Sequence, residues 1–119
     1  MKSCLIVDDS SVVRKVARRI LEDLDYAVDE AEDGQEAYDK CRREMPDAIL
    51  LDWNMPIMGG LEFLKALRAY VGGEKPRVVY CTIENDVGQI AMAMKAGADD
   101  YMFKPFDRAL LEAKFEEAA

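Results

Sequence analysis

Five short apolar runs alternate along this chain with segments whose apolar residues recur at helical spacing. The runs occupy residues 4–7, 27–31, 48–51, 78–81 and 101–103. Continuous apolar runs of this length are typical of strands that are covered on both faces, as they are in a parallel sheet; the second run is the weakest of the five. Strict alternation of strand and helix predicts an α/β fold, with a five-stranded parallel sheet between two layers of helices.

The intervening segments have the apolar period of amphipathic helices. In the first helix, Ser10 or Ser11 is the predicted N-cap, and the predicted inner face consists of Val12, Val13, Val16, Ala17, Ile20, Leu21 and Leu24. The second helix is expected over 35–43, the fourth over 87–95 with Gly97 closing it, and the fifth over 108–118. The third helix should end at Gly72-Gly73. The inner faces predicted for the third and fifth helices are Leu61, Leu64, Ala66 and Leu67, and Leu110, Leu111 and Phe115.

Length, charge and cysteine content argue against several classes of protein. The chain has 119 residues, which fits one domain over 1–119 without a second, effector domain. Its net charge of −8 argues against binding to nucleic acid or to anionic membranes. Three cysteines without a C-x-x-C spacing, in a chain without histidine, argue against a zinc site and for buried thiols in a reducing compartment. The first apolar run is too short for a signal peptide, so we expect a cytoplasmic protein.

Polar side chains directly follow four of the five apolar runs. Asp8 and Asp9 follow the first run, Asp52 the third, Thr82 the fourth and Lys104 the fifth. Because parallel strands end at the same edge of a sheet, we expect these side chains at the edge where ligands bind in such folds. Each of them alone is equally well explained as a turn or helix-cap residue, but the complete set at one edge favours a functional site.

Three converging carboxylates repel one another, and a bound cation would offset that repulsion. Hard oxygen ligands select Mg²⁺ or Ca²⁺, and a site with few protein ligands suits Mg²⁺, to which Asn54 would add its carbonyl or side-chain oxygen. Lys104 would supply a positive charge and Thr82 a hydroxyl donor, which are the groups that phosphoryl transfer requires. A carboxylate can accept a phosphoryl group, and Asp52, alone on the central strand, is the best candidate.

In order and spacing, these residues resemble the receiver domains of two-component response regulators. The matching segments span essentially the whole chain: LIVDDS at 5–10, LDWNMP at 51–56 with Gly60, Thr82, AGA at 96–98 and KPF at 104–106. The resemblance is closest to the single-domain regulators of chemotaxis. It implies a flavodoxin-like, doubly wound fold whose parallel sheet has the order 2-1-3-4-5 and is flanked by five helices.

The resemblance also implies chemistry and partners. Asp52 would accept a phosphoryl group from a phosphohistidine on a histidine kinase or phosphotransfer protein. The Mg²⁺ ligands would be Asp8, Asp9, Asp52 and the carbonyl of Asn54. A receiver domain is not an enzyme in the ordinary sense, since it catalyses only its own phosphorylation and dephosphorylation. We expect a monomer or weak dimer with a protein target downstream.

The switch residues follow from the same resemblance. Thr82 would turn toward the phosphoryl group, and Tyr101 would follow from an exposed to a buried rotamer. This would rearrange the face formed by the fourth helix, fifth strand and fifth helix, where partners dock. Ile83 departs from the small residue usual after the switch threonine, and its bulk would narrow access to the phosphoryl group. Glu84 and Asn54 occupy positions that tune dephosphorylation in this family.

The residues leave other functions open. A phosphatase of the haloacid dehalogenase kind also forms an aspartyl phosphate, but it would need a D-x-D arrangement at the first strand and a cap. A flavin-binding module would place its phosphate against the negative charge of Asp8 and Asp9. A receiver-like module that binds partners without phosphorylation is the main alternative, although the intact acceptor set argues against it.

The first helix also has basic side chains that form either a solvated face or a kinase-docking surface: Arg14, Lys15, Arg18 and Arg19.

Overall fold

The computed structural model describes residues 1–83 and 86–116, which form five strands and five helices in alternation. The strands are β1 (Ser3–Val7), β2 (Ala27–Ala31), β3 (Ala48–Asp52), β4 (Arg77–Ile83) and β5 (Asp100–Lys104). The helices are α1 (Ser11–Asp23), α2 (Gly34–Arg43), α3 (Gly60–Ala69), α4 (Val87–Ala96) and α5 (Arg108–Glu116). The predicted α/β fold is confirmed. Glu84 and the predicted end of the fifth helix at 117–118 lie outside the described residues.

The strands form one parallel sheet in the order β2-β1-β3-β4-β5, as expected. The register pairs Val7 with Leu51 between β1 and β3, and Asp52 with Cys81 between β3 and β4. The chain passes from β1 to β2 on one side and then to β3 on the other, so the strand order reverses between β1 and β3. In open α/β sheets, ligands bind outside the carboxyl ends of the strands at such a point.

The core consists of two apolar layers, one on each face of the sheet. The layer under α2, α3 and α4 includes Leu5, Val7, Ile49, Leu51, Phe63, Leu64 and Leu67, and the layer under α1 and α5 includes Ile6, Ala17, Leu21, Leu50, Met102, Leu111 and Phe115. All five residues of β3 are buried, and each large aliphatic side chain there stabilises the fold by about 1.5–3 kcal/mol. The strand that ends at Asp52 is therefore fixed from both sides.

Three apolar side chains predicted to face the core are exposed instead. Val12 is 69% exposed, Val16 52% and Leu110 38%. The buried residues of α1 are Ala17, Ile20 and Leu21, and those of α5 are Leu111 and Phe115. The apolar residues of α1 and α5 cover a wider arc of the helix than the sheet can bury. The residues at the edge of that arc are therefore exposed to solvent.

The inner face of α3 also differs from the prediction. Phe63, Leu64 and Leu67 are fully buried, whereas Leu61 and Ala66 are half-buried. Phe63 lies on the same helical face as Leu67, one turn away, and the prediction overlooked it. The largest side chain that α3 contributes to the core is therefore an aromatic ring.

Several local predictions are confirmed. Ser10 caps α1, since its Oγ accepts a hydrogen bond from the Val13 N–H at 3.3 Å, and Gly97 closes α4 in the left-handed conformation with φ 117°. The three cysteines are buried and free. No helix in the described part of the chain has the length and hydropathy that a membrane crossing requires.

Candidate functional site

The polar residues predicted at the strand ends do meet at one edge of the sheet. Asp8 immediately follows β1, Asp52 ends β3, Thr82 is the penultimate residue of β4, and Lys104 ends β5. Carboxylate oxygens of Asp8, Asp9 and Asp52 lie within 4.8 Å of one another. The parallel topology thus brings together side chains that are as far as 96 residues apart in sequence.

The acidic cluster is buried on one side and open on the other. Asp8 and Asp52 are each 4% exposed, whereas Asp9 is exposed. Oxygen ligands at this spacing fit a hard divalent cation such as Mg²⁺, which keeps part of its water shell and needs an open side. The donor set therefore fits the metal expected from the sequence.

Lys104 is the cation that offsets the cluster within the described residues. Its Nζ lies 2.6 Å from Oδ2 of Asp8 and 2.9 Å from Oδ1 of Asp52. The first contact is a hydrogen bond, but the second has the distance of an ion pair without the direction of a hydrogen bond, so Asp52 Oδ1 has no hydrogen-bond partner in the described structure. Burial lowers the pKa of Lys104, but the two carboxylates outweigh that effect and hold the pKa above its usual value.

The carboxyl group of Asp52 is unusually basic for an aspartate. Burial, with smaller contributions from the charges of Asp8 and Asp9, raises its pKa from 3.8 to about 6, against the opposing effect of Lys104. With this pKa the Asp52 carboxyl group is still mostly ionised at pH 7. The group is a stronger nucleophile than an exposed aspartate while remaining charged at neutral pH.

Thr82 has a buried hydroxyl group without a partner. Its side chain is 0% exposed, and Oγ1 makes no hydrogen bond within the described structure. Leaving a buried polar atom unpaired costs about 1–3 kcal/mol, and such atoms call for a functional explanation. Thr82 Oγ1 is such an atom at the sheet edge where Asp52 and Lys104 lie, as expected of a group that binds an incoming ligand.

The turn between β1 and α1 holds Asp8 from several directions. Its N–H donates to the Ala31 carbonyl at 3.1 Å, and its Oδ1 accepts the Ser10 N–H at 2.8 Å. Arg14 Nη1 donates to the Asp8 carbonyl oxygen at 2.7 Å. This role of Arg14 was not predicted, because the sequence pattern indicates only that Arg14 belongs to the basic face of the first helix.

The loop between β3 and α3 folds back on Asp52. The Gly60 N–H donates to the Trp53 carbonyl at 3.1 Å, and a Cβ at position 60 would lie 2.2 Å from the Asp52 carbonyl oxygen, so only glycine fits. Trp53 is half-buried beside Asp52. Asn54 is exposed in the same loop, two residues after the acceptor candidate.

The two predicted switch residues lie on the adjacent strands β4 and β5, two positions apart in the register. Tyr101 is 39% exposed, its ring lies 5.4 Å from the Lys114 ammonium, and the β4–β5 register places it opposite Tyr80. Thr82 is instead opposite Phe103. Ile83, at the end of β4, is half exposed.

Comparisons with known proteins agree with this geometry. The family model of the response regulator receiver domain matches residues 4–116. A chemotaxis protein CheY homolog from Campylobacter jejuni is 38% identical over 115 residues, which cover 95% of this chain and 88% of that protein. The structure of chemotaxis response regulator CheY4 from Vibrio cholerae aligns with a TM-score of 0.93 and 32% identity, over 100% of this chain and 99% of that one.

A second structural relative is a protein from Methanospirillum hungatei. This CheY-like response regulator receiver domain protein aligns with a TM-score of 0.88 and 30% identity, over 98% of this chain and 92% of that one. Sequence and structure therefore agree: this chain belongs to the family of response regulator receiver domains, the phospho-acceptor signalling modules.

Proposed function

We propose that this receiver domain is a phospho-acceptor switch in which Asp52 takes a phosphoryl group from a phosphohistidine of a histidine kinase or phosphotransfer protein. The observation that carries the proposal is the buried Asp52 carboxylate, 2.9 Å from the Lys104 ammonium, near the buried Thr82 hydroxyl group, which has no hydrogen-bond partner in the described structure. These three groups are a nucleophile, a hydroxyl donor and a cation, and they lie at the ligand-binding edge of the sheet.

The transfer itself needs little covalent chemistry from the protein. An oxygen of the Asp52 carboxylate forms a bond to phosphorus while the phosphorus–nitrogen bond to the donor imidazole breaks, and the electron pair of that bond stays on the imidazole nitrogen. Lys104, whose Nζ lies 2.9 Å from Asp52 Oδ1, would pair with a phosphoryl oxygen. The Thr82 hydroxyl would donate to another phosphoryl oxygen and so satisfy its own unmet hydrogen bond.

Mg²⁺ would be held by carboxylate oxygens of Asp8, Asp9 and Asp52, with the Asn54 carbonyl as a further ligand. When bound, it would offset the charge of the carboxylates and of the phosphoryl oxygens. The spacing of the three carboxylates and the exposure of Asp9 support this assignment. The chain's own contribution is to hold the oxygens in place and to keep water away from Asp52 on the buried side.

Signal output would run through the face made of α4, β5 and α5. A hydrogen bond from Thr82 to the phosphoryl group would draw the end of β4 toward the site, and Tyr101 would move inward from its exposed position. Support comes from exposed apolar side chains on α4 and α5, which are available to a protein target: Val87, Met92, Met94 and Leu110. Burying or rearranging them would change the affinity for that target.

The test is the intact mass of the chain after incubation with acetyl phosphate, with and without Mg²⁺. The wild type should gain one phosphoryl group only when Mg²⁺ is present, Asp52→Asn should gain none, and the exposed-site control Asp39→Asn should behave as wild type. No gain by the wild type would refute the acceptor role and favour a module that binds partners without phosphorylation.

A further inference from the structure

Arg14 connects the candidate metal site to the edge strand β2. Its Nη1 donates to the Asp8 carbonyl oxygen at 2.7 Å, and its Nε donates to Oε1 of Glu30 at 2.9 Å. The Arg14 side chain is only 15% exposed, so both contacts are shielded from water. Since Glu30 is a residue of β2, the guanidinium group ties the residue that follows β1 to the neighbouring strand.

These contacts fix the peptide group that links Asp8 to Asp9. The Asp8 N–H is held by the Ala31 carbonyl on β2, and the Asp8 carbonyl is held by Arg14. With both ends of Asp8 anchored, the direction in which the chain leaves toward Asp9 is set. Asp9 is exposed, and none of the described hydrogen bonds or ion pairs reaches its carboxylate, so its place in the cluster depends on this backbone.

Glu30 offsets part of the charge of Arg14, because its single negative charge is shared between Arg14 and Arg18. Burial raises the pKa of Glu30, but the hydrogen bonds from Arg18 and Arg14 outweigh that effect and hold the pKa below its usual value. Glu30 therefore remains a carboxylate at neutral pH. Besides its remaining charge, Arg14 contributes the orientation of the Asp8 carbonyl group.

We propose that Arg14, held by Glu30, is a positioning residue that sets the Asp8–Asp9 turn for binding of a divalent cation. The inference rests on the proposed function, because it concerns the same acidic cluster. Partners that orient metal ligands typically change metal affinity by about 10–100-fold when they are removed. We expect the lower part of that range, since Arg14 holds a ligand's backbone rather than its carboxylate.

Arg18 provides a matched control on the same helix. It also donates to Glu30, with Nη1 2.7 Å from Oε2, and to one backbone carbonyl, that of Val28 at 3.0 Å. It forms an additional exposed pair with Glu22. Arg14→Met and Arg18→Met therefore remove the same charge and the same kind of contacts, but only the first releases Asp8.

The experiment is a Mg²⁺ titration of the wild type, Arg14→Met, Arg18→Met and Arg14→Lys. Dissociation constants are measured by isothermal titration calorimetry and by the fluorescence of Trp53, with urea unfolding to compare stability. Arg14→Met should bind Mg²⁺ about tenfold more weakly than the wild type. Arg18→Met should bind within about twofold of wild type, and Arg14→Lys, which keeps one donor, should lie between wild type and Arg14→Met.

The sign of the effect separates positioning from electrostatics. Removing a cation near an acidic cluster would by charge alone tighten Mg²⁺ binding, so unchanged or tighter binding by folded Arg14→Met overturns the proposal. Equal weakening in both methionine variants overturns it too, because the effect would then come from the shared Glu30 contact or from stability. If the wild type itself binds no Mg²⁺, the proposed metal site fails, and the positioning role fails with it.

Discussion

Replacing Asp52 with asparagine should stabilise the metal-free protein at neutral pH. In the folded chain the Asp52 carboxylate is buried near Asp8 and Asp9, and Lys104 compensates only in part. A pKa raised from 3.8 to about 6 means that ionised Asp52 costs about 3 kcal/mol of folding free energy, at about 1.4 kcal/mol per tenfold change in acidity. Asparagine removes this charge at nearly constant shape but weakens the Lys104 contact, so we expect a gain of about 2 kcal/mol.

The pH dependence of that gain follows from the sign of the pKa change. Below pH 3.8 the carboxyl group is protonated in both the folded and the unfolded chain, and its charge costs nothing. Between pH 3.8 and about 6 the unfolded chain ionises first, so the wild type loses stability as pH rises, and above about 6 the full cost is present. The advantage of Asp52→Asn should therefore grow from pH 4 to pH 7 and then level off.

Urea unfolding in EDTA at pH 4 and pH 7, followed by circular dichroism, measures this difference. Asp39→Asn is the control, because a hydrogen bond from Arg42 lowers the pKa of that exposed carboxyl group, and its pH dependence should be small and opposite in sign. Adding Mg²⁺ should stabilise the wild type and have much less effect on Asp52→Asn. An Asp52→Asn protein that is less stable than wild type at pH 7 in EDTA would show that the Lys104 contact outweighs burial, contrary to our reasoning.

Three further substitutions test other parts of the site. Gly60→Ala should destabilise the fold by about 3 kcal/mol or more in urea, because its Cβ would lie 2.2 Å from a β3 carbonyl oxygen; an unchanged transition midpoint would contradict the loop geometry. Thr82→Val should stabilise the unphosphorylated chain by about 1 kcal/mol and weaken binding of a beryllofluoride phosphoryl analogue about tenfold, and a loss of stability would mean that the hydroxyl group is already satisfied. Tyr80→Phe removes the 2.9 Å hydrogen bond to Gln89 and should speed amide hydrogen exchange in α4, whereas Tyr26→Phe, which loses a similar buried bond, should leave α4 unchanged.

The sequence predicts those features of the fold that depend on local pattern and on topology. The apolar run of β3 and the acid that follows it are adjacent in the chain, so the local pattern alone predicts Asp52 at the end of a buried strand. The parallel arrangement then brought Lys104 to the same edge. These predictions needed only periodicity and the rule that parallel strands end together.

Features set by long-range contacts were not predictable in this way. The exposure of Val12 and Val16 depends on how α1 is rotated against the sheet, and an apolar period indicates the stripe but not how much of it is covered. The contacts of Arg14 with the Asp8 carbonyl and with Glu30 require the distance between α1 and β2. The unpaired state of the Thr82 hydroxyl is likewise a property of the packed interior.

Chemical identification of the phosphorylated residue tests the central claim most directly. The chain would be incubated with Mg²⁺ and acetyl phosphate and treated with borohydride, which reduces an aspartyl phosphate to homoserine, and its peptides would then be sequenced by mass spectrometry. We predict homoserine at position 52 and unmodified Asp8 and Asp9, with none formed when Mg²⁺ is replaced by EDTA. Homoserine at position 8 or 9, or at no position in a folded wild-type protein, would contradict the account.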